Sequence, residues 1–388
     1  MKLLFIKDEF GLGGVETLIM RLSELLVRDG HNVCVLTSEP YPGSLDVLPK
    51  SVQVIALGIN YNRAYGSFVS KSGLKAVASF SPDIVFSTSF RDFWVACDIA
   101  ARLRTNPKVL VGVYVDKEYC PVRSRWSLGI GTHLVRYAFD RCIPDESKLF
   151  MSRTVRRNHE RSYNRSMSCS SVCVLPIDVL KYRLVARNPC RTRIVSVGRL
   201  VDFKTYNLYM LDVVRSLREA GIPVTWDVYG TGPLLKEMQR KALRWGLCDS
   251  VLFHGAIPYE QFGDIMCSAG VFVGMGTALL EAAACGVPSI VAVPHEVEGR
   301  TYGWVYDLPL GNVGEWQDTS PTQMISNLIE NLIGMTEFEY SKECKKSQDY
   351  VRIYDQHAVY NDFLHCVDRA KQQCVPWHLL RLAGLKCR

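Results

Sequence analysis

Spacings that hold metals are missing from this sequence. Among its 14 cysteines no two form a Cys-x-x-Cys pair, and no His-x-x-x-His accompanies them, which excludes zinc ribbons and fingers. The short, regular cysteine ladder of a secreted disulfide scaffold is missing too. The thiols run singly from Cys34 to Cys387, several in apolar surroundings such as Cys34, Cys173 and Cys285, and read as reduced thiols of a cytosolic protein. The polar bias of disorder is absent: 48% of the residues are hydrophobic, 22% are charged, and the mean hydropathy is +0.02. The apolar run of Met1–Glu9 is too short for a signal peptide and turns acidic, so no export is expected. One run, Ala269 to Pro294, is long enough to span a bilayer. Gly274, Gly276, Gly286 and Pro288 cut it into pieces of strand and helix length, which suit a buried α/β core better.

What is present is length and an uneven charge. The 388 residues suit two domains. The net charge of +7 divides as 25 basic and 17 acidic side chains over residues 1–185, against 21 and 22 over residues 186–388. All the excess therefore lies in the first half, which should face something anionic.

Apolar periodicity gives the architecture. Strand Leu3–Lys7, the glycine turn Gly11-Leu12-Gly13-Gly14, a helix from Glu16 to Arg28 closed by Gly30, and strand Val33–Thr37 make a βαβ unit. Strands at 52–56, 84–86, 109–115, 148–151 and 171–175 continue it. After a break near Asn188-Pro189 the rhythm restarts with strands at 194–197, 224–229, 251–253, 271–273 and 289–293. The expected fold is α/β, two Rossmann-like domains facing a cleft. Their expected limits are 1–185, 186–355 and a helical segment 356–388 that packs back on the first domain, its apolar and basic end Trp377–Arg388 being either an interfacial anchor or a helix packing back.

Four features stand at strand ends in the second half. Gly198-Arg199-Leu200 with Lys204 puts two cations beside a turn, able to neutralise a diphosphate or simply to be solvated. Gly230-Thr231-Gly232-Pro233 is a tight turn whose glycines can serve the turn alone. His254-Gly255-Ala256 offers backbone to a base, although a lone His there is more often structural. In Gly274-Met275-Gly276-Thr277-Ala278, a Gly-x-Gly turn opens a helix whose first amides, on Thr277 and Ala278, can meet an anion. Glu281 follows on the first turn of that helix, where its charge needs the helix dipole or a ligand's hydroxyls.

In order, Gly13-Gly14-Val15-Glu16, Val197-Gly198-Arg199-Leu200 with Lys204, Val228 to Pro233, Phe253-His254-Gly255 and Leu280-Glu281-Ala282-x-Ala284-Cys285-Gly286-Val287-Pro288 resemble the GT-B glycosyltransferases of family 4. The resemblance covers most of the chain and is strongest over 194–293. It implies a retaining glycosyltransferase with a nucleotide-sugar donor, such as a UDP- or GDP-sugar, on the second domain and a glycan or lipid-linked acceptor on the first. Arg199 and Lys204 would hold the diphosphate and stabilise it as leaving group. Glu281 would hold the ribose, and the amides of Thr277 and Ala278 would add phosphate contacts. Gly13 and Gly14 would let the first turn approach the sugar-phosphate, and Gly230, Gly232, His254, Gly274, Met275 and Gly276 would complete the donor site. No cofactor or metal is implied, and no Asp-x-Asp pair occurs.

Two departures stand out. The family's Glu-x7-Glu pattern places its first Glu at Val273. Where relatives carry a His after the strand at 109–115, this chain reads Val113-Tyr114-Val115-Asp116-Lys117-Glu118, leaving Asp116 or Glu118 to serve. They motivate an alternative, a catalytically weakened nucleotide-sugar-binding partner of another transferase. The basic residues Arg123 to Arg141 and Arg153, Arg156, Arg157, Arg161 and Arg165 suggest peripheral contact with anionic lipid rather than nucleic acid, or a solvated face. The expected location is the cytoplasm, at the inner face of the membrane.

Overall fold

The computed structural model describes residues 1–11, 13–56, 59–62, 66–121 and 130–374. Two compact units emerge: Met1–Pro176 together with the chain from His357 onward, and Ile177–Gln356. The first junction falls at Pro176 and not at residue 185. The Ile177 amide donates to the Tyr354 carbonyl at 2.8 Å and the Gln356 amide to the Ile177 carbonyl at 2.9 Å, so the short helix Val179–Arg183 goes with the second unit.

The first unit carries seven parallel strands: β1 (Lys2–Ile6), β2 (Asn32–Leu36), β3 (Gln53–Ile55), β4 (Ile84–Ser87), β5 (Lys108–Val113), β6 (Lys148–Phe150) and β7 (Ser171–Val172). Their order is β7-β6-β5-β4-β1-β2-β3. Strands such as Leu3-Leu4-Phe5-Ile6 are apolar throughout and fully buried, as a sheet covered on both faces requires. Helix Gly14–Arg28 buries Leu18, Ile19, Leu22, Leu25 and Leu26, and Gly30 follows its end at φ +80°, the left-handed position that glycine takes without strain. Burial of each such leucine contributes about 1.5–3 kcal/mol.

The chain returns to this unit at its end. Helix Gln356–Arg369 sets Phe363 against Phe86, ring centroids 5.5 Å apart. Beyond it Gln373 accepts the Val109 amide at 2.9 Å, and the Lys371 carbonyl accepts the Ser147 hydroxyl at 2.9 Å. The tail from Trp377 to Arg388 lies outside the described residues, as does the stretch with Arg123, Arg125 and Trp126.

The second unit has five parallel strands, β8 (Cys190–Val197), β9 (Thr225–Tyr229), β10 (Val251–Gly255), β11 (Ala269–Gly274) and β12 (Ser289–Val291), in the order β10-β9-β8-β11-β12. At its centre Trp226 is fully buried. Its indole N–H donates to Ser196 Oγ at 3.0 Å, and that hydroxyl donates to the Val273 carbonyl at 2.7 Å, joining β9, β8 and β11. The long apolar run folds as β11, helix Thr277–Ala284 and β12. Among the described residues no helix is long and apolar enough to cross a membrane, and the 13 cysteines are all free thiols.

Candidate functional site

Parallel strands all end at one edge of their sheet, and the crevice that takes ligands opens where the strand order reverses. In the second unit β8, β9 and β10 run outward to one side, and the chain then returns to place β11 on the other side of β8. The reversal therefore lies between β8 and β11. Gly198 and Arg199 follow β8, and Met275 to Thr277 follow β11, so sequence segments about eighty residues apart meet at one edge.

Lys204 folds back over the start of its own loop. A Cβ built on Gly198, itself at φ +157°, would lie 3.0 Å from Lys204 Nζ. Burial, and then the charge of Arg199, bring the Lys204 ammonium down to about 8. Neither cation has a carboxylate partner among the described residues. A half-buried ammonium beside a guanidinium with no counter-charge is costly, and a bound anion relieves the cost.

The helix Thr277–Ala284 contributes dipole and donors. Its N-cap, Gly276, sits at φ +75° without a side-chain cap, and the Gly276 amide donates to the Val313 carbonyl at 2.9 Å. The amides of Thr277 and Ala278 have no acceptor among the described residues. Two unused N–H groups at a positive helix end, on the strand neighbouring Arg199 and Lys204, make an arrangement suited to a phosphate.

Glu281 lies one turn further along, as the fifth residue of the helix rather than on its first turn, and is 3% exposed. Its carboxylate accepts the Tyr259 hydroxyl at 2.8 Å. Tyr259 was invisible to sequence reasoning, since nothing local to the 3-10 turn Tyr259–Gln261 marks it as a carboxylate partner. Gly274 ends β11 inside the core, and Met275 is half-buried against Gly314.

Gly230 and Gly232 have another duty. A Cβ on Gly230 would overlap the Gly198 carbonyl oxygen, and one on Gly232 the Leu200 carbonyl oxygen. These glycines let the loop after β9 lie against the loop after β8, where the Leu200 amide donates to the Thr231 carbonyl at 2.9 Å. They shape the crevice through the backbone. His254 is likewise occupied. It hydrogen-bonds the buried Asp227 and stacks on Tyr229, centroids 4.4 Å apart. Asp227 also pairs with Arg193 at 2.6 Å. This places the imidazole in a structural network at the sheet edge.

Val273 is fully buried within β11. The position eight residues before Glu281 thus falls inside the sheet, where no carboxylate can be presented to a ligand. Only Met275 and Gly276 stand between the strand and the helix.

The model of the family described as "Glycosyl transferases group 1" matches residues 186–299, and that of the "Glycosyl transferase 4-like domain" matches residues 13–198. The chain belongs to the group 1 glycosyltransferases. A GDP-mannose-dependent alpha-(1-6)-phosphatidylinositol monomannoside mannosyltransferase of Mycolicibacterium smegmatis is 27% identical over 156 residues, 37% of this chain and 39% of that protein. The putative colanic acid biosynthesis glycosyltransferase WcaL of Escherichia coli is 27% identical over 128 residues, 29% of this chain and 31% of its own length. The matched stretches thus span well under half of these curated relatives. A glycosyltransferase from Rickettsia africae ESF-5 superposes with a TM-score of 0.67 at 12% identity, covering 95% of this chain and 98% of that one. The likeness in fold is to GT-B enzymes, two Rossmann-like halves with parallel sheets.

In the first unit of this group 1 family member the strand order reverses between β1 and β4, and titratable groups gather there. Asp92 is fully buried and accepts the Asp8 amide at 2.9 Å and the Ser89 hydroxyl at 2.6 Å. Burial raises it to about 6 despite the nearby Lys7. Glu118 accepts the Phe90 amide at 2.7 Å, and burial raises it to about 7. Its other oxygen is buried without a partner among the described residues. Asp116 is half-buried and accepts the Asn158 side-chain amide at 2.8 Å. Gly13 caps the helix Gly14–Arg28 in extended conformation, and a Cβ there would meet the Glu16 carboxylate at 2.7 Å. An anion approaching Gly13 and Gly14 from that side encounters Glu16, which is balanced by Lys7 at 3.4 Å.

The basic residues of this unit divide sharply. Arg165 pairs with Asp140 and Asp145 at 2.6 and 2.7 Å, and Arg141 pairs with Asp140 at 2.9 Å. Arg136 turns two of its guanidinium nitrogens inward and sits over the Phe90 ring. Arg165 and Arg141 are thus paired within their own unit, whereas the two inward nitrogens of Arg136 have no hydrogen-bond partner among the described residues. Arg153 and Arg156 have no partner among the described residues.

Proposed function

We propose that this chain is a retaining, metal-independent glycosyltransferase. It moves a hexose from a nucleotide-sugar, a UDP- or GDP-sugar, to a glycan or lipid-linked acceptor in polysaccharide or glycolipid assembly at the cytoplasmic face of a membrane. Family membership and the names of the relatives support the class of reaction. The observation that carries the donor assignment is the uncompensated pair Arg199 and Lys204 beside the unused amides of Thr277 and Ala278.

As the bond between the anomeric carbon and the diphosphate oxygen breaks, negative charge grows on that oxygen. Two fixed cations and two amides stabilise it there. The acceptor hydroxyl attacks the anomeric carbon on the face that the leaving group departs, and its proton passes to the departing phosphate oxygen. Glu281, oriented by Tyr259, would take the ribose hydroxyls. Asp116 would stand by the transferred sugar.

Val273 favours a second reading, because its burial in β11 removes one sugar contact: a nucleotide-sugar-binding partner of another transferase, itself catalytically weak. Equilibrium binding of a nucleotide-sugar panel followed by a turnover assay separates the two. Donor binding with transfer or hydrolysis supports the enzyme, and loss of at least about 10²-fold in rate in Arg199→Ala or Lys204→Ala supports the leaving-group role. Tight binding with no turnover of any donor supports the partner.

A further inference from the structure

The seven-stranded sheet ends at β7, whose outer edge no strand among the described residues covers. Over that edge lies an open groove of about 560 Å³, lined from helix Arg153–Tyr163 on one side and helix Gln356–Arg369 on the other, all within the first unit. Arg153, Arg156 and Arg157 enter it from the first helix, Arg369 and His365 from the second, with Ser171 on the strand between.

Its charge is unbalanced. Four guanidinium groups face two carboxylates, those of Glu160 and Asp362, and one oxygen of Glu160 already accepts the Met167 amide at 2.8 Å. Arg369 donates to the Cys169 carbonyl at 3.0 Å, which aims its guanidinium without neutralising it. Arg153 and Arg156 make no hydrogen bond or ion pair among the described residues, whereas Arg165 of the same segment is tied to two aspartates. Moreover, Arg153 and Arg156 fall on the first turn of their helix, which carries no acidic residue. Cations at that end oppose the helix dipole, at about 0.3–1 kcal/mol each when exposed. An anion in the groove offsets both penalties.

We propose that this groove binds a phosphorylated polyol, its phosphoryl oxygens held by the guanidinium forks of Arg153 and Arg156 and its hydroxyls by the carboxylates of Glu160 and Asp362. Planar guanidinium forks match phosphate oxygens in pairs. The volume exceeds what one phosphate fills, and carboxylates inside a basic groove suit hydroxyl donors rather than a second anion. The groove is lined wholly by residues of the first unit and does not rest on the glycosyl-transfer reading. Its ligand can be a soluble phosphate ester or the headgroup of a phospholipid.

The full chain is titrated with glycerol 3-phosphate and with glycerol by calorimetry, and co-sedimented with vesicles of phosphatidylglycerol in phosphatidylcholine and of phosphatidylcholine alone. Glycerol 3-phosphate should bind at least about tenfold more tightly than glycerol, or phosphatidylglycerol vesicles should retain the chain selectively. The first result identifies a soluble ester, the second a membrane headgroup. In either case Arg153→Gln with Arg156→Gln should weaken binding by at least about tenfold, and the charge-matched surface change Arg240→Gln with Arg244→Gln by less than about twofold. Thermal unfolding checks that the variants fold, and the single change Arg153→Gln, at an exposed partnerless residue, gives the same reading if the pair does not. Neither probe binding, or equal binding by wild type and the Arg153/Arg156 variant, overturns the proposal.

Discussion

Lys204 and Arg199 follow the end of one strand with no carboxylate partner for either among the described residues, and the charge of Arg199 adds to burial in bringing the Lys204 ammonium down to about 8. Without a counter-charge the ammonium holds its proton loosely. A diphosphate between the two cations restores the charged form.

Binding of pyrophosphate at pH 8 should thus place about half a proton on Lys204, read by calorimetry in buffers of different ionisation enthalpy as the difference between wild type and Lys204→Arg, which cancels the ligand's own ionisation. Affinity should fall as pH rises through about 8, where Lys204 loses its charge. Lys204→Arg keeps the charge and should abolish this share of the uptake. Equal uptake by the two proteins would assign the proton to another group.

The same lysine has a consequence for stability. Its folded value, about 8, is below the roughly 10.4 of an unfolded chain, so the unfolded state binds more protons between these limits and stability rises with pH across them. Lys204→Met should remove that rise and increase stability at pH 7, while weakening pyrophosphate binding. Denaturant unfolding at pH 7 and pH 10 measures both arms.

Much of this edge is legible in the sequence alone. Glycines and charges at strand ends are local signals, and a strand such as Val271–Val273 shows itself as an unbroken apolar run because a two-sided parallel sheet buries it entirely. What cannot be read there depends on contacts between distant segments. The junction at Pro176 is set by hydrogen bonds from Ile177 to Tyr354 and from Gln356, Arg165 is neutralised by Asp140 and Asp145, and His254 is held by Asp227. Counting residues back from Glu281 likewise leads into the interior of β11, because the connection after that strand is short.

Gly230 and Gly232 are fixed by backbone packing, so alanine at either should be costly even without ligand. The left-handed φ values of +146° and +155° cost about 1–3 kcal/mol for a residue with a Cβ, and overlap with the Gly198 or Leu200 carbonyl adds to it. A fall in denaturant midpoint equivalent to about 3 kcal/mol is expected for Gly232→Ala. A neutral variant would mean that the two loops separate freely.

In the first unit Glu118 should shape the pH dependence of stability. Its folded value near 7 exceeds the roughly 4.3 of an unfolded chain. Its contribution is complete below that lower value and is lost as pH rises through about 7. Glu118→Gln keeps an acceptor for the Phe90 amide and cannot ionise, so it should stabilise the chain at pH 8 and flatten the profile between about 4.3 and 7. An unchanged profile would show that Glu118 is solvated in the folded chain.

Tyr259 tests the role of Glu281 without touching the carboxylate. Tyr259→Phe deletes one hydroxyl and leaves a 3% exposed carboxylate short of the donor it holds at 2.8 Å, which should cost about 1–3 kcal/mol of stability. If Glu281 orients a ribose, affinity for a nucleoside diphosphate should drop several-fold while affinity for pyrophosphate, which lacks the ribose but engages Arg199 and Lys204, stays within about twofold. The ratio of the two affinities is the informative quantity, since a general loss of packing would weaken both alike. Equal losses would remove Glu281 from the ribose and leave it a buried acid held for the fold alone.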